Sequence, residues 1–202
     1  MDQACLVIIL AKAPLPGFAK TRLAPLLGND GAAHLAAKML AHTLDTALAA
    51  ARGAVLLFLH ADTGLPGQAD CLIEAGLARS GKAWGRFDVR IVGTPVMLRV
   101  IAALMNLRSR LSGIATGDQA IFVRRDAFLA VGGFPDQLLM EDIEISRRLR
   151  RHSAPLCLRQ RVCTSGRRWE VRGVWSTIWL MWRLRLRYWL GAPADRLAKE
   201  YR

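Results

Sequence analysis

The sequence predicts an α/β fold in which helices flank a sheet, and three observations carry that expectation. Short apolar runs of strand length alternate with longer stretches whose apolar residues recur at helical spacing. Polar residues follow one of those runs abruptly, as they do where open α/β sheets bind ligands. The 202 residues are 52% hydrophobic with only 8 prolines, enough for one domain with a substantial core.

In chain order, Leu6 to Ala11 reads as a buried strand, followed by the turn Pro14-Leu15-Pro16-Gly17 and an alanine-rich helix from Gly31 to Ala51. Ala54 to Leu59 is a second strand that ends in His60-Ala61-Asp62-Thr63, after which Gln68 to Ser80 turns helical. Trp84 to Ile91 alternates apolar and polar residues, the pattern of a half-exposed strand. Pro95 to Leu111 reads as a helix with Arg99, Arg108 and Arg110 on its outer face. Ala120 to Arg124 is a further strand, and Asp126 to Val131 a short helix stopped by Gly132-Gly133-Phe134-Pro135. Leu138 to His152 is the clearest helix, with acids in its first turns and arginines in its last. Leu156 to Thr164 is a final strand, and Trp175 to Tyr188 a helix carrying Trp179, Trp182, Arg183 and Arg187.

The formal charge of +13 is uneven: from Arg147 onward 15 Lys and Arg face 3 Asp and Glu, which leaves the first 146 residues at +1. Such a tail suits anionic lipid, a nucleotide diphosphate or nucleic acid alike, because phosphate is common to all three. Cys5, Cys71, Cys157 and Cys163 form no C-x-x-C pair, so neither zinc nor a disulfide framework is expected, and a reducing cytosol fits. The first apolar run has no basic residues before it, and Val174 to Trp182 falls short of the roughly 20 residues that span a bilayer. No signal peptide and no transmembrane helix are expected.

Asp62, at the end of a buried strand, could anchor a hard cation through its carboxylate, or simply cap the turn before Thr63-Gly64-Leu65-Pro66. His60 beside it reads as a metal ligand or as a hydrogen-bonded strand-end residue. Glu141, Asp142 and Glu144 open a helix that Arg147 to Arg151 closes, which the helix dipole alone accounts for at about 0.3–1 kcal/mol per charge. Two adjacent acids just past a Gly-Gly-Phe-Pro turn are also what a catalytic loop-to-helix junction looks like.

The motifs Val55-Leu-Leu-Phe-Leu-His-Ala-Asp-Thr63, Gly85-Arg-Phe-Asp-Val-Arg90, Asn106-Leu-Arg-Ser-Arg110, Thr116-Gly-Asp-Gln-Ala-Ile-Phe-Val123, Val131-Gly-Gly-Phe-Pro135, Met140-Glu-Asp-Ile-Glu144 and Arg167-Arg-Trp-Glu170 stand in order. Together they resemble a bacterial subgroup of family-two glycosyltransferases, the radical-SAM/selenodomain-associated transferases, over residues 53–202. The resemblance implies a GT-A-like, Rossmann-related mixed sheet and transfer from a nucleotide-diphosphate sugar with inversion, dependent on Mg²⁺ or Mn²⁺. It implies that Asp62 and His60 hold the metal, that Asp142 is the base and Glu141 helps place it, and that Arg168 lies near the diphosphate. Trp169 would line the acceptor, with Gly117, Asp118 and Gln119 beside the transferred sugar.

Residues 1–52 depart from that family, since no Pro-x-x-Asn-Glu segment follows the first strand. Ala11-Lys-Ala-Pro-Leu-Pro-Gly-Phe-Ala-Lys-Thr-Arg-Leu23 is instead similar to the companion nucleotidyltransferase-like family, which makes Lys12, Lys20 and Arg22 candidate phosphate ligands. One domain is thus expected: a substituted βα unit in 1–52, a metal and acceptor part in 53–170, and basic, Trp-rich helices in 171–202. Only one βα unit precedes the metal strand, so the nucleotide-base pocket is abbreviated. The expected partners are a nucleotide-sugar donor, a lipid-linked acceptor and the anionic inner face of the cell membrane, with nucleic acid disfavoured. The alternatives are a nucleotidyltransferase-like protein and an impaired fusion relic acting as a basic membrane- or nucleic-acid-binding module.

Overall fold

The computed structural model of the protein describes residues 7–10, 23–50, 55–60, 62–137 and 139–201. Among these, six strands form one mixed sheet in the order β1-β2-β5-β4-β6-β3: β1 (Val7–Leu10), β2 (Val55–Leu59), β3 (Thr63–Gly64), β4 (Trp84–Val92), β5 (Ile121–Arg124) and β6 (Leu156–Ser165). The helices are α1 (Ala24–Ala50), α2 (Ala69–Ser80), α3 (Met97–Ser112), α4 (Arg125–Ala130), α5 (Glu141–Arg150), α6 (Arg167–Arg172), α7 (Val174–Trp189) and α8 (Ala194–Tyr201). The α/β expectation holds. β1 lies parallel to β2 and β4 parallel to β6, whereas β5 and β3 run against their neighbours.

Strand alternation divides the core between the two faces of the sheet. Leu57, Phe87, Val89 and Phe122 point toward α2 and α3, where they meet Ile73, Leu77, Leu98 and Ile101. Leu56, Trp84, Ile121 and Val123 point the other way, toward Phe128 of α4 and Ile145 and Leu149 of α5. A third cluster joins Met140 to Leu184 of α7 and Leu197 of α8. The Gly132-Gly133-Phe134-Pro135 turn has a packing role as well: Phe134 meets Phe58 edge-on at 4.8 Å between ring centroids and lies 5.9 Å from Phe128.

Several details differ from expectation. α1 runs from Ala24 rather than Gly31, but Gly28, at φ 69° and ψ 168°, is non-helical and divides it, so that the longer piece after the kink starts close to the expected Gly31. α5 begins at Glu141 rather than Leu138, so both acids fall in its first turn. β3, α6 and α8 had no sequence signal of their own. The largest correction concerns β4, which is buried from Trp84 through Val89 rather than half-exposed. Its polar positions are inside: the Arg86 guanidinium is fully buried against Asp88, whose other oxygen accepts from Arg110 at 2.7 Å. Arg86 also donates to Ser109 Oγ at 3.0 Å and to the Asn106 carbonyl at 3.1 Å. Paired in this way, a buried charge keeps its hydrogen bonds.

β5 pairs with β4 only from Trp84 to Arg86, so among the described residues the rest of that β4 edge has no strand beside it. Asn106 of α3 takes the strand's place. Its Oδ1 accepts from the Val89 N–H at 2.9 Å and its Nδ2 donates to the Val89 carbonyl at 3.0 Å. Gln119 Nε2 in turn donates to Asn106 Oδ1 at 3.3 Å. Asn106→Leu leaves a buried N–H and a buried C=O unpaired, and is expected to lower stability by about 2–5 kcal/mol in urea unfolding.

Candidate active site

The carboxyl ends of β1, β2, β4 and β6 and the amino end of β5 meet on one rim of the sheet. Three segments converge there: His60, Asp62 and Thr63 after β2, a single 3₁₀ turn at Gly117–Gln119 before β5, and the start of α5. The His60 Nδ1 lies 3.3 Å from Asp118 Oδ1. The Gly117 N–H donates to Asp142 Oδ2 at 3.1 Å, and the Ile143 N–H to Asp142 Oδ1 at 2.7 Å. A side chain at Gly117 would collide with the His60 imidazole, so glycine is what lets this turn lie against the strand end. Ser146 fastens α5 to the same segment by accepting from the Ala115 N–H at 3.1 Å.

These groups shift one another. Hydrogen bonding to Asp118 raises the His60 pKa above its ordinary 6.5, with burial opposing and Asp118, Asp142 and Asp62 adding attraction. Burial is the largest influence on Asp118 and would raise it, but the His60 hydrogen bond together with the charges of His60, Arg168 and Arg185 outweighs it and holds the carboxyl below the usual 3.8. Both side chains keep nearly half their surface open, 48% and 43%, although protein crowds them on most sides. That is the geometry of a cleft wall, where water weakens the pair. Burial pushes Asp142 and Glu141 up, and the repulsion between them adds to the rise at Glu141.

The candidate residues divide accordingly. His60, Gly117, Asp118, Glu141 and Asp142 come together, and exposed Asp62 lies close enough to attract both His60 and Arg168. Gln119 does not face the cleft. It is fully buried, and its amide is taken by Thr116 and Asn106, which makes it a support for the turn. Trp169 packs on the α2/α3 side of the core rather than standing over the acids. Arg168 sits above the Tyr201 ring at 4.5 Å, within electrostatic reach of Asp118 and Asp62. Lys12, Lys20 and Arg22 lie outside the described residues.

Among the described residues no three His, Cys, Asp or Glu side chains are grouped to hold a metal ion. His60 turns its Nδ1 to Asp118 and its other edge to Gly117. What remains is one open carboxylate, Asp62. A single carboxylate suits a hard cation that arrives bound to phosphates and keeps its waters.

Two residues near the acids lacked notice in the sequence. Arg108 of α3, expected outside, turns inward: its Nε and Nη2 are buried and unpartnered among the described residues. Arg185 of α7 is also near, attracted by Asp142 and Asp118. Helical spacing held the signal, since Ile101, Met105 and Arg108 share one face of α3, as Ile178 and Arg185 share one face of α7.

No protein-family model and no curated protein matches the chain.

Asp118→Asn is expected to lower the His60 titration midpoint toward 6.5, read from its imidazole resonances by NMR. The sign for stability follows. A raised histidine pKa contributes fully below the unfolded value of 6.5 and is lost as pH rises through the folded value, so this pH dependence flattens in the variant.

Proposed function

We propose that the chain is a glycosyltransferase with a GT-A-like fold, moving a sugar from a nucleotide-diphosphate sugar to an acceptor hydroxyl with inversion. The observation that carries this reading is Asp142, a carboxylate held by the Gly117 and Ile143 amides at the strand-end rim, within electrostatic reach of Asp118. Inverting transfer needs a base on one side of the anomeric carbon and charge stabilisation for the leaving diphosphate on the other. The cleft offers both.

In this reading Asp62 would hold, through its exposed carboxylate, a divalent cation, Mg²⁺ or Mn²⁺, that would supply positive charge to the departing diphosphate, and Arg168, near Asp62 and Asp118, adds to it. The acceptor oxygen attacks the anomeric carbon as the bond to the diphosphate oxygen breaks, and Asp142 takes the hydroxyl proton. Burial raises the proton affinity of Asp142, which favours it as a base. Neighbouring Glu141, raised in part by Asp142, keeps a second negative charge off the pair at low pH.

A peripheral location on anionic membrane is supported by α7. Trp175, Trp179, Trp182 and Trp189 recur at intervals of four, three and seven along one stripe, each 72–79% exposed. Such indole stripes flanked by arginines suit a lipid interface. No described helix is long and apolar enough to cross a membrane.

Titration calorimetry with UDP- and GDP-sugars tests the transferase reading. Binding is expected to require Mn²⁺ and to weaken about tenfold or more in Asp62→Ala. Asp142→Asn is expected to keep donor binding and lower turnover by about 10²–10⁴. The parent rate should rise with pH as Asp142 ionises, above the ordinary 3.8, and the variant should lack that limb. Metal-indifferent binding together with unaltered turnover in Asp142→Asn would sink the reading. For the membrane contact, replacing Trp179 and Trp182 with Gln should weaken partition into phosphatidylglycerol vesicles about tenfold or more. Unchanged partition removes that contact from the account.

A further inference from the structure

We propose that the outer face of α3 joins the α7 tryptophans in one surface that docks on an anionic lipid bilayer. This rests on the membrane contact proposed for α7 and adds to it a second element, which fixes how the protein lies on the lipid. Val96, Val100, Leu104, Leu107 and Leu111 recur at intervals of four, four, three and four, so they stand along one side of the helix, and all are 48–80% exposed. The opposite side of α3, with Leu98, Ile101 and Ala102, is already in the core. A helix whose inner face is satisfied has no need of a second apolar face in water, and contiguous exposed apolar side chains mark an interaction surface. Neighbouring α2 packs on the same face of the sheet yet exposes no large apolar side chain, so the stripe is a property of α3 and not of its layer.

Continuity and charge select lipid as the occupant. Just before α3, the Thr94 N–H donates to Glu170 of α6 at 2.8 Å, and a side chain at Gly166 would meet Leu98. From Glu170 the chain passes through exposed Val171 to Trp175 in the first turn of α7, so the stripe and the tryptophan row begin side by side. Inside, Val174 and Ile178 of α7 pack against the cluster that holds Leu98 and Ile101. The two helices together contain six arginines and no carboxylate. Arg110, Arg183 and Arg187 meet Asp88 and Glu200, whereas Arg99, exposed beside the stripe, meets no acid among the described residues. With exposed Arg90 of β4, Arg99 flanks a recess of about 130 Å³ beside Val92 and Val96. Two copies of α3 set face to face would bring arginines with no acid to offset them. An anionic bilayer offsets them with headgroups, takes the leucines among its acyl chains and suits the indoles at the boundary.

The test is co-sedimentation with phosphatidylglycerol vesicles and with phosphatidylcholine vesicles. Leu104→Gln with Leu107→Gln is expected to weaken binding to phosphatidylglycerol about tenfold or more, and Val96→Gln with Leu111→Gln, at the two ends of the stripe, to do the same. Because these side chains are exposed, the urea midpoint of each variant should stay near the parent's. Leu129→Gln, exposed on α4 across the sheet, should bind as the parent does, and the parent should bind phosphatidylcholine more weakly than phosphatidylglycerol. If both α3 pairs bind as the parent while the Trp179 and Trp182 replacements weaken binding, the α3 contact is overturned and that of α7 stands. A parent that binds neither vesicle overturns both contacts, and equal binding to the two lipids overturns the choice of an anionic surface. Sedimentation equilibrium without lipid tests for a second copy of the chain. A dimer that Leu104→Gln with Leu107→Gln dissociates assigns the face to self-association and overturns the bilayer.

Discussion

The amide of Asn106 is the contact on which the cleft depends. A sheet whose central strand outruns its neighbour leaves backbone donors and acceptors that must be satisfied, and inside a protein water is not at hand to do it. Beyond Arg86 the β4 edge is in that position, and Asn106 answers it with one acceptor and one donor spaced as a strand would space them. A real strand there would fill the rim. A side chain closes the edge and leaves room for the Gly117–Gln119 turn, which Gln119 ties back to Asn106. The turn that carries Asp118 is thus anchored to the same residue that closes the β4 edge.

Electrostatics then sorts the rim. Acids gather where the amide N–H groups of Gly117 and Ile143 point, and cations approach from three separate elements: Arg168 from α6, Arg108 from α3 and Arg185 from α7. None of the three neutralises an acid by direct contact; each is felt at a distance. A site of this kind is charged on both sides and unsaturated on both, which is the condition for attracting a substrate with a polar reacting centre and anionic flanks.

Much of this was legible in the sequence, for physical reasons that also explain the rest. β2 and β5 are continuous apolar runs, so their buried positions and the polar residues at the β2 end followed directly, and Asp142 fell at a helix start as its neighbours implied. β4 misled because Arg86 and Asp88 alternate with Phe87 and Val89 as a solvent face would, yet they neutralise each other inside. Alternation reports polarity, and polarity implies exposure only when no partner waits across the chain. The partners, Asn106, Ser109 and Arg110, come from a helix some twenty residues on, and no local pattern announces such a pairing. Gln119 differs in another way: the resemblance set it beside the transferred sugar with Gly117 and Asp118, whereas its amide is spent on Thr116 and Asn106 of the scaffold.

The basic carboxyl-terminal helices are part of the site as well as a surface. Met140, the residue before Glu141, holds φ at 65°, a left-handed conformation that a side-chain-bearing residue adopts only when its surroundings compensate. Its surroundings are Leu184 of α7 and Leu197 of α8, which bury it. α7 therefore does two things at once: through Leu184 it fixes the turn that aims the first residues of α5, and one position later it delivers Arg185 to the acid those residues carry. A helix whose inner face bears on Asp142 through both Leu184 and Arg185, and whose outer face is a row of exposed tryptophans, joins the acids to whatever surface those tryptophans meet. Displacing α7 would then disturb Asp142 from two directions, through the strained backbone ahead of it and through the loss of the cation beside it.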